Sequence, residues 1–279
     1  VKPPPFTYHA PRDVPAALRT LAEVGGKVLA GGQSLIPMLN MRLAAPGHVV
    51  DINRVAGLDG IEVSRAGVTV GALARHADVE RAGAHPLLTR ALKLVAHPAI
   101  RNRGTVVGSL VHADPAAELP AVLAVLGGHV RVARWDGGRV TFREVPAQEF
   151  FVGPMESAVG PGELAVSAFF PALGEGSGAA FHEVSRRHGD YALAGACAVV
   201  TVVGGRVAGA RVACIGVGAG PVVVDLGGDL SSAADRVRDA VDPDDDIHAS
   251  AAYRRHLVGV LAERALRDAA REGAASRGA

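Results

Sequence analysis

The apolar pattern of this chain changes character once, at a glycine-rich stretch, and that change limits the fold more than any other feature. Past Gly174-Glu175-Gly176-Ser177-Gly178, the best linker signal present, long β-type runs cover 181–185, 196–203 and 206–217. Gly204-Gly205 supplies a two-residue hairpin turn between the last two. Helical patterns at 231–241 and 250–271 close the chain, the second placing Tyr253, Leu257, Val260 and Leu261 on one face. Ahead of the stretch, short strands and helices mix without strict alternation. Strands followed by helices argue for an α+β fold and against a doubly wound parallel sheet.

The earlier part breaks into short elements. Asp13 and Pro15 open a helix that Gly25-Gly26 ends. A short strand at 27–30 runs through Gly31-Gly32-Gln33-Ser34 into a helix-like segment at 35–41, and 49–52 suits a strand. Residues 61–63 and 68–70 suit a hairpin, and helical patterns follow at 77–82 and 87–96. Residues 100–115 carry Gly, Thr, Ser, Asp and His without a clean period and suggest a long irregular loop. A helix at 118–126, a hairpin of 130–134 with 140–143, and a strand at 164–170 complete this part.

Composition narrows the function classes. The chain has 279 residues, 49% of them hydrophobic and 20% charged, with a net charge of +1. That is enough apolar material for a sizeable core, and the balance gives no electrostatic case for nucleic acid or an anionic membrane. Cys197 and Cys214, the two cysteines, cannot form a disulfide framework and are too few for an iron–sulfur cluster or a Cys-rich zinc site. Both suit small apolar positions in strands, and low cysteine use fits a reducing compartment. No apolar segment follows Val1-Lys2-Pro3-Pro4-Pro5 as a signal peptide requires, and no run approaches bilayer length, so a soluble cytoplasmic protein is expected.

Four constellations carry chemistry. Ala30-Gly31-Gly32-Gln33-Ser34-Leu35 lies between a strand and a helix start. Its amides, the Ser34 hydroxyl and the helix end can hold a phosphate; an ordinary turn with Ser34 as helix cap is the alternative. Arg101-Asn102-Arg103-Gly104-Thr105-Val106-Val107-Gly108-Ser109 offers a second donor-rich segment, with Thr105 and Ser109 as hydroxyl donors, or else a solvated surface loop. In His112-Ala113-Asp114-Pro115-Ala116-Ala117-Glu118, Asp114 suits a helix cap rather than a metal ligand, and Glu118 can accept bonds from ribose hydroxyls. Ser185-Arg186-Arg187-His188-Gly189-Asp190-Tyr191-Ala192 joins two strong strands, as a loop beside a conjugated ring or as a polar hairpin connection.

Other patterns fail on inspection. Gly216-Val217-Gly218-Ala219-Gly220 lacks the third spacing of the dinucleotide fingerprint, and Pro221 stands where a helix should begin. Asp242-Pro243-Asp244-Asp245-Asp246 mimics the start of a calcium loop, but Ile247 replaces its glycine; an acidic helix start is expected there. No Walker A lysine and no hydrolase setting around Ser34 is present.

The order and spacing of Ala30-Gly31-Gly32-Gln33-Ser34, Ile100-Arg101-Asn102-Arg103-Gly104-Thr105, Gly108-Ser109, His112 through Glu118, Gly189-Asp190-Tyr191-Ala192 and the tail 244–257 resemble one family over nearly the whole chain. It is the FAD-binding medium subunits of carbon monoxide dehydrogenase and its relatives in the xanthine dehydrogenase, or molybdenum hydroxylase, family. The resemblance implies a FAD-binding domain over 1–173, with subdomains of about 1–56 and 57–173, and a C-terminal domain of antiparallel sheet and helices over 178–279. It implies that Ala30, Gly31, Gly32, Gln33, Ser34 and Leu35 hold the FAD diphosphate from one side and Thr105, Val106, Val107, Gly108 and Ser109 from the other, with Val28, Leu29 and Ile100 also in the cofactor site. Asp114, Glu118, Leu164 and Tyr191 complete the cofactor site, Tyr191 near the isoalloxazine. His182 stands where some relatives carry a flavin-contacting lysine. Relatives usually have Thr-x-Gly-Gly where this chain has Val107 in the third position, so a side chain there either crowds the phosphate, shifts the backbone or points away.

The function so implied is electron transfer through FAD, from iron–sulfur clusters to an external acceptor. The implied partners are an iron–sulfur small subunit and a molybdenum-cofactor large subunit, in a heterohexamer of two heterotrimers. A flavin-free assembly subunit and a stand-alone FAD oxidoreductase are the alternatives. No acid–base pair in the flavin region suggests substrate chemistry of its own, and neither a catalytic residue nor a metal site is expected.

Overall fold

The computed structural model describes residues 2–276; the end positions Val1 and 277–279, assigned above to the first and last domains, lie outside the described residues. The fold is α+β, with three main sheets in chain order.

The first sheet is built from β1 (Thr7–His9), β2 (Lys27–Leu29) and β3 (His48–Asp51), in the order β1-β3-β2, and is parallel throughout. Between the strands run α1 (Val14–Val24) and α2 (Leu35–Asn40). Helix α1 starts and stops where its sequence says: Asp13 Oδ1 accepts the Ala16 amide at 2.7 Å, Pro15 sits in the first turn, and Gly25 closes it at φ +65°. Its buried face, Ala17, Leu18 and Leu21, lies at helical spacing and joins the core. Strand β1 has no sequence signature; three residues are too few for a period.

The second sheet is antiparallel, in the order β4-β5-β10-β6-β7. Its hairpins are β4 (Ile61–Val63) with β5 (Gly67–Gly71), and β6 (His129–Asp136) with β7 (Arg139–Pro146). Between the hairpins lie α3 (His76–Ala82), α4 (Pro86–Leu94), α5 (Pro98–Arg101), α6 (Val106–His112) and α7 (Glu118–Leu126). After β7 come α8 (Ala147–Phe150), the small pair β8 (Phe151–Gly153) and β9 (Glu156–Ser157), and the central strand β10 (Glu163–Pro171). The irregular loop expected at 100–115 is instead two short helices joined by a tight turn. Mixed small and polar residues hide the period of α6, although Thr105 caps it by accepting the Gly108 amide at 3.1 Å.

The third sheet is a meander, β11 (Ser177–Ser185), β12 (Ala192–Val203), β13 (Arg206–Ile215) and β14 (Val222–Asp225), followed by α9 (Ala233–Ala240) and α10 (Ala251–Ala275). Gly204 and Gly205 turn the β12–β13 hairpin at φ +59° and +77°. Ser177 and Gly178, expected in the linker, already belong to β11. Gly178 carries no side chain because the Ala269 carbonyl and Gly273 amide of α10 occupy that space. The inward face of α10 is Arg254, Val258, Leu261, Ala262 and Ala265, one position off the expected stripe, and Tyr253 is exposed. Arg254 turns inward because Leu193 O, Gly216 O and the Asp246 carboxylate all accept from its guanidinium.

Alternation along the third sheet assigns its two faces to different cores. Ala196, Ala198, Val200 and Cys214 pack under α9 and α10, whereas Cys197, Ala213 and Ile215 join the core of the preceding sheets. Helix α7 lies between the halves, with every residue from its first to Val125 buried. No described helix is long and apolar enough to cross a membrane.

Candidate functional site

Strand β2 delivers the chain into the turn 30–34, and the end of α5 delivers it into the turn 102–105. The two turns meet. A Cβ on Gly31 would collide with the Arg103 carbonyl oxygen and lie 2.8 Å from Gly104 Cα, so only glycine permits this approach. Gly32, at φ +74°, lets the first turn double back into α2. Among the described residues, the amides of residues 31–35 donate to no protein acceptor, and neither does that of Val107 in the first turn of α6. Unpaired amides facing a common space are a cradle for an anion.

That space is a cleft of about 480 Å³, within the range of small-molecule sites. Every residue expected at the cofactor site lines it except Leu29 and Val106. Val106 is fully buried in the core, and Leu29 spends its carbonyl on the Ile52 amide of the sheet.

Several expected roles change in detail. Among the described residues the Ser34 side chain makes no capping bond and borders the cleft, whereas Thr105 Oγ1 accepts the Gly108 amide in capping α6 and keeps its O–H as a donor at the cleft. Asp114 does not cap α7, whose N-cap is Ala117; its Oδ1 accepts the Ala116 amide at 2.8 Å in a tight local turn. Val107 is 2% exposed and packs into the core while bordering the cleft. His182 is not among the cleft residues; its Nε2 lies 2.9 Å from Asp268 Oδ2 on α10.

At the end nearest the third sheet, Glu118 is buried. Burial, with the neighbouring charges of Glu183 and Asp114, pushes its carboxyl up to about 8. Burial likewise raises Glu183 to about 7, and its Oε2 has no partner among the described residues. Glu118 therefore carries its proton at neutral pH and can donate as well as accept, which the sequence reading of a plain acceptor did not anticipate. Tyr191, 70% exposed, edges the same end on a turn where Gly189, at φ +84°, packs on the His97 ring.

His76 is the functional candidate that sequence reasoning missed. Its amide donates to Gly104 O at 2.9 Å, and its buried ring presses on Gly104 and borders the cleft. Burial lowers it to about 4, so the ring is neutral, and neither ring nitrogen has a partner among the described residues. Nothing local marks it, because what surrounds it comes from residues 100–109.

A cradle of amides without protein acceptors beside a cleft of this size is the kind of place that can receive a phosphorylated ligand. The sequence matches the family described as FAD binding domain in molybdopterin dehydrogenase over residues 4–173, and the CO dehydrogenase flavoprotein C-terminal domain over 179–225 and 229–269. It is 42% identical over 284 residues to the 6-hydroxypseudooxynicotine dehydrogenase complex subunit alpha of Paenarthrobacter nicotinovorans, covering 95% of each chain. It is 34% identical to the carbon monoxide dehydrogenase medium chain of Hydrogenophaga pseudoflava, covering 95% of this chain and 96% of that one. A solved carbon monoxide dehydrogenase from that organism, lacking the Mo-pyranopterin moiety of its cofactor, superposes with a TM-score of 0.90 at 34% identity, covering 96% of this chain and 98% of the other. The chain belongs to the FAD-binding medium subunits of the molybdenum hydroxylase family, and is an oxidoreductase subunit whose cofactor is FAD.

Proposed function

We propose that this chain carries electrons through FAD from the iron–sulfur clusters of a small subunit to an external acceptor, in a complex whose large subunit holds the molybdenum cofactor. The observation that carries the reading is the meeting of the two turns at Gly31 and Gly104, which leaves a row of unpaired amides facing one cleft. When bound there, FAD supplies the redox chemistry, exchanging electrons singly or in pairs.

The protein's part is binding and placement. The amides of residues 31–35, the Val107 amide and the Ser34 hydroxyl receive the diphosphate. Glu118, protonated at neutral pH, donates to one cofactor hydroxyl and accepts from another. Tyr191 borders the open edge of the cleft, on the side where the isoalloxazine lies in this reading. Residues 1–173 form the FAD-binding domain, with subdomains meeting near residue 56, and residues 178–279 the C-terminal domain. The complex is a heterohexamer of two heterotrimers in the cytoplasm.

Two measurements test this. Titrating the apo-chain with FAD is expected to give a yellow complex at one flavin per chain; a chain that stays colourless would be an assembly subunit. Rapid mixing of the purified complex with its substrate is expected to bleach the flavin only when the partner chains are present. Bleaching and turnover by the isolated chain would make it a stand-alone oxidoreductase.

A further inference from the structure

A chain of side-chain hydrogen bonds ties the two glycine turns together from behind. Asn53 Nδ2 donates to Ala30 O, in the first turn, at 2.8 Å. Asn53 Oδ1 accepts from Arg75 Nη2 at 2.6 Å, and Arg75 Nη1 donates to Arg103 O, in the second turn, at 2.6 Å. Arg103 O is the same oxygen that a side chain on Gly31 would strike, so the strap ends where the turns touch.

The strap is anchored at its Asn53 end. Asp51 Oδ1 accepts the Asn53 amide at 2.8 Å and its Nδ2 at 2.6 Å, while Asp51 Oδ2 accepts the Tyr8 hydroxyl at 2.6 Å. Although burial opposes it, those bonds hold the Asp51 carboxyl below its usual range, so it stays an acceptor. Arg75 stands between β5 and α3, where its backbone bridges to Thr105. Asn53 follows the first sheet and Arg75 follows a strand of the second, so the strap spans the two sheets.

We propose that Asn53 and Arg75 are positioning residues that set the spacing of the two turns, and so the affinity for FAD, without touching the cofactor. The proposal rests on the reading that these turns hold the diphosphate. A planar guanidinium bonding one side-chain amide and one carbonyl fixes both distance and angle, which a lysine cannot reproduce. An aspartate at position 53 keeps the acceptor for Arg75 but loses the donor for Ala30 O, and sets a carboxylate oxygen against that carbonyl.

The test uses the full chain stripped of FAD, with Asn53→Asp, Arg75→Lys and the double variant. Dissociation constants come from flavin fluorescence quenching, and apo-chain melting temperatures from circular dichroism. Each single variant is expected to weaken FAD binding about tenfold or more, with apo-chain melting changed by only a few degrees. The double variant is expected to lose much less than the product of the two single losses, because either change already opens the strap. FAD binding within twofold of the parent in both single variants overturns the proposal, as does a double loss equal to that product. Should Asn53→Asp fail to fold, Arg75→Lys and Arg75→Gln are each compared with the parent, and FAD binding within twofold of the parent in both overturns the proposal. A parent chain that binds no FAD overturns the underlying reading and this proposal with it; a parent that binds while the variants bind equally well overturns the strap alone.

Discussion

The carbonyl oxygen of Arg103 stands in the space that a methyl group on Gly31 would need. Gly31→Ala must therefore push the two turns apart, since the obstruction is backbone and cannot swing away. FAD affinity is expected to fall by about tenfold or more, measured by fluorescence titration. Gly47→Ala is the control: its added Cβ meets nothing within 4 Å, and FAD affinity is expected to stay at the parental value.

Glu118 makes the stability of the apo-chain depend on pH. Its folded-state value of about 8 stands above the ordinary 4.5, so the native state keeps a proton that the unfolded chain releases. The contribution is fully present below about pH 4.5 and is lost as pH rises through about 8. Glu118→Gln does not titrate. Its stability relative to the parent is expected to rise between pH 5 and pH 9 by an amount on the order of a few kcal/mol, measured by urea midpoints of the apo-chains. A difference independent of pH would contradict the assignment.

Val107 stands where the family resemblance leads one to expect the third residue of Thr-x-Gly-Gly, and its side chain sits in the core. Val107→Gly is expected to cost about 2–3 kcal/mol of stability through the cavity left behind, with flavin still at one per chain. A rise in flavin content on substitution would show that the valine stood in the cofactor's way.

Tyr191, at 70% exposed, holds little of the fold. Tyr191→Ala is expected to leave stability within about 0.5 kcal/mol and to shift the visible flavin band, because the ring borders the cleft. An unchanged spectrum would place the isoalloxazine elsewhere.

What was legible in the sequence was local. Asp13, Pro15 and Gly25 bound α1 because capping is decided within a few residues, and Gly204-Gly205 fixes a hairpin for the same reason. The two short helices of 98–112 were not legible, although Thr105 with Gly108 three residues on was a cap in plain view. The inward turn of Arg254 depends on Leu193, 61 residues away, and no period in α10 could reveal it. Asn53, Arg75 and His76 stayed hidden likewise: Asn53 bonds Ala30 across 23 residues and Arg75 bonds Arg103 across 28. That the two glycine turns face one space came from the family resemblance; neither turn alone implies the other.

Helix α7 is covered partly by strands β12 and β13, so its apolar surface depends on residues far down the chain. During synthesis at about 5–20 residues per second, that helix leaves the ribosome several seconds before its cover is made. Until then the part of α7 that β12 and β13 will cover stays open to water, so this apolar surface is closed only late in synthesis.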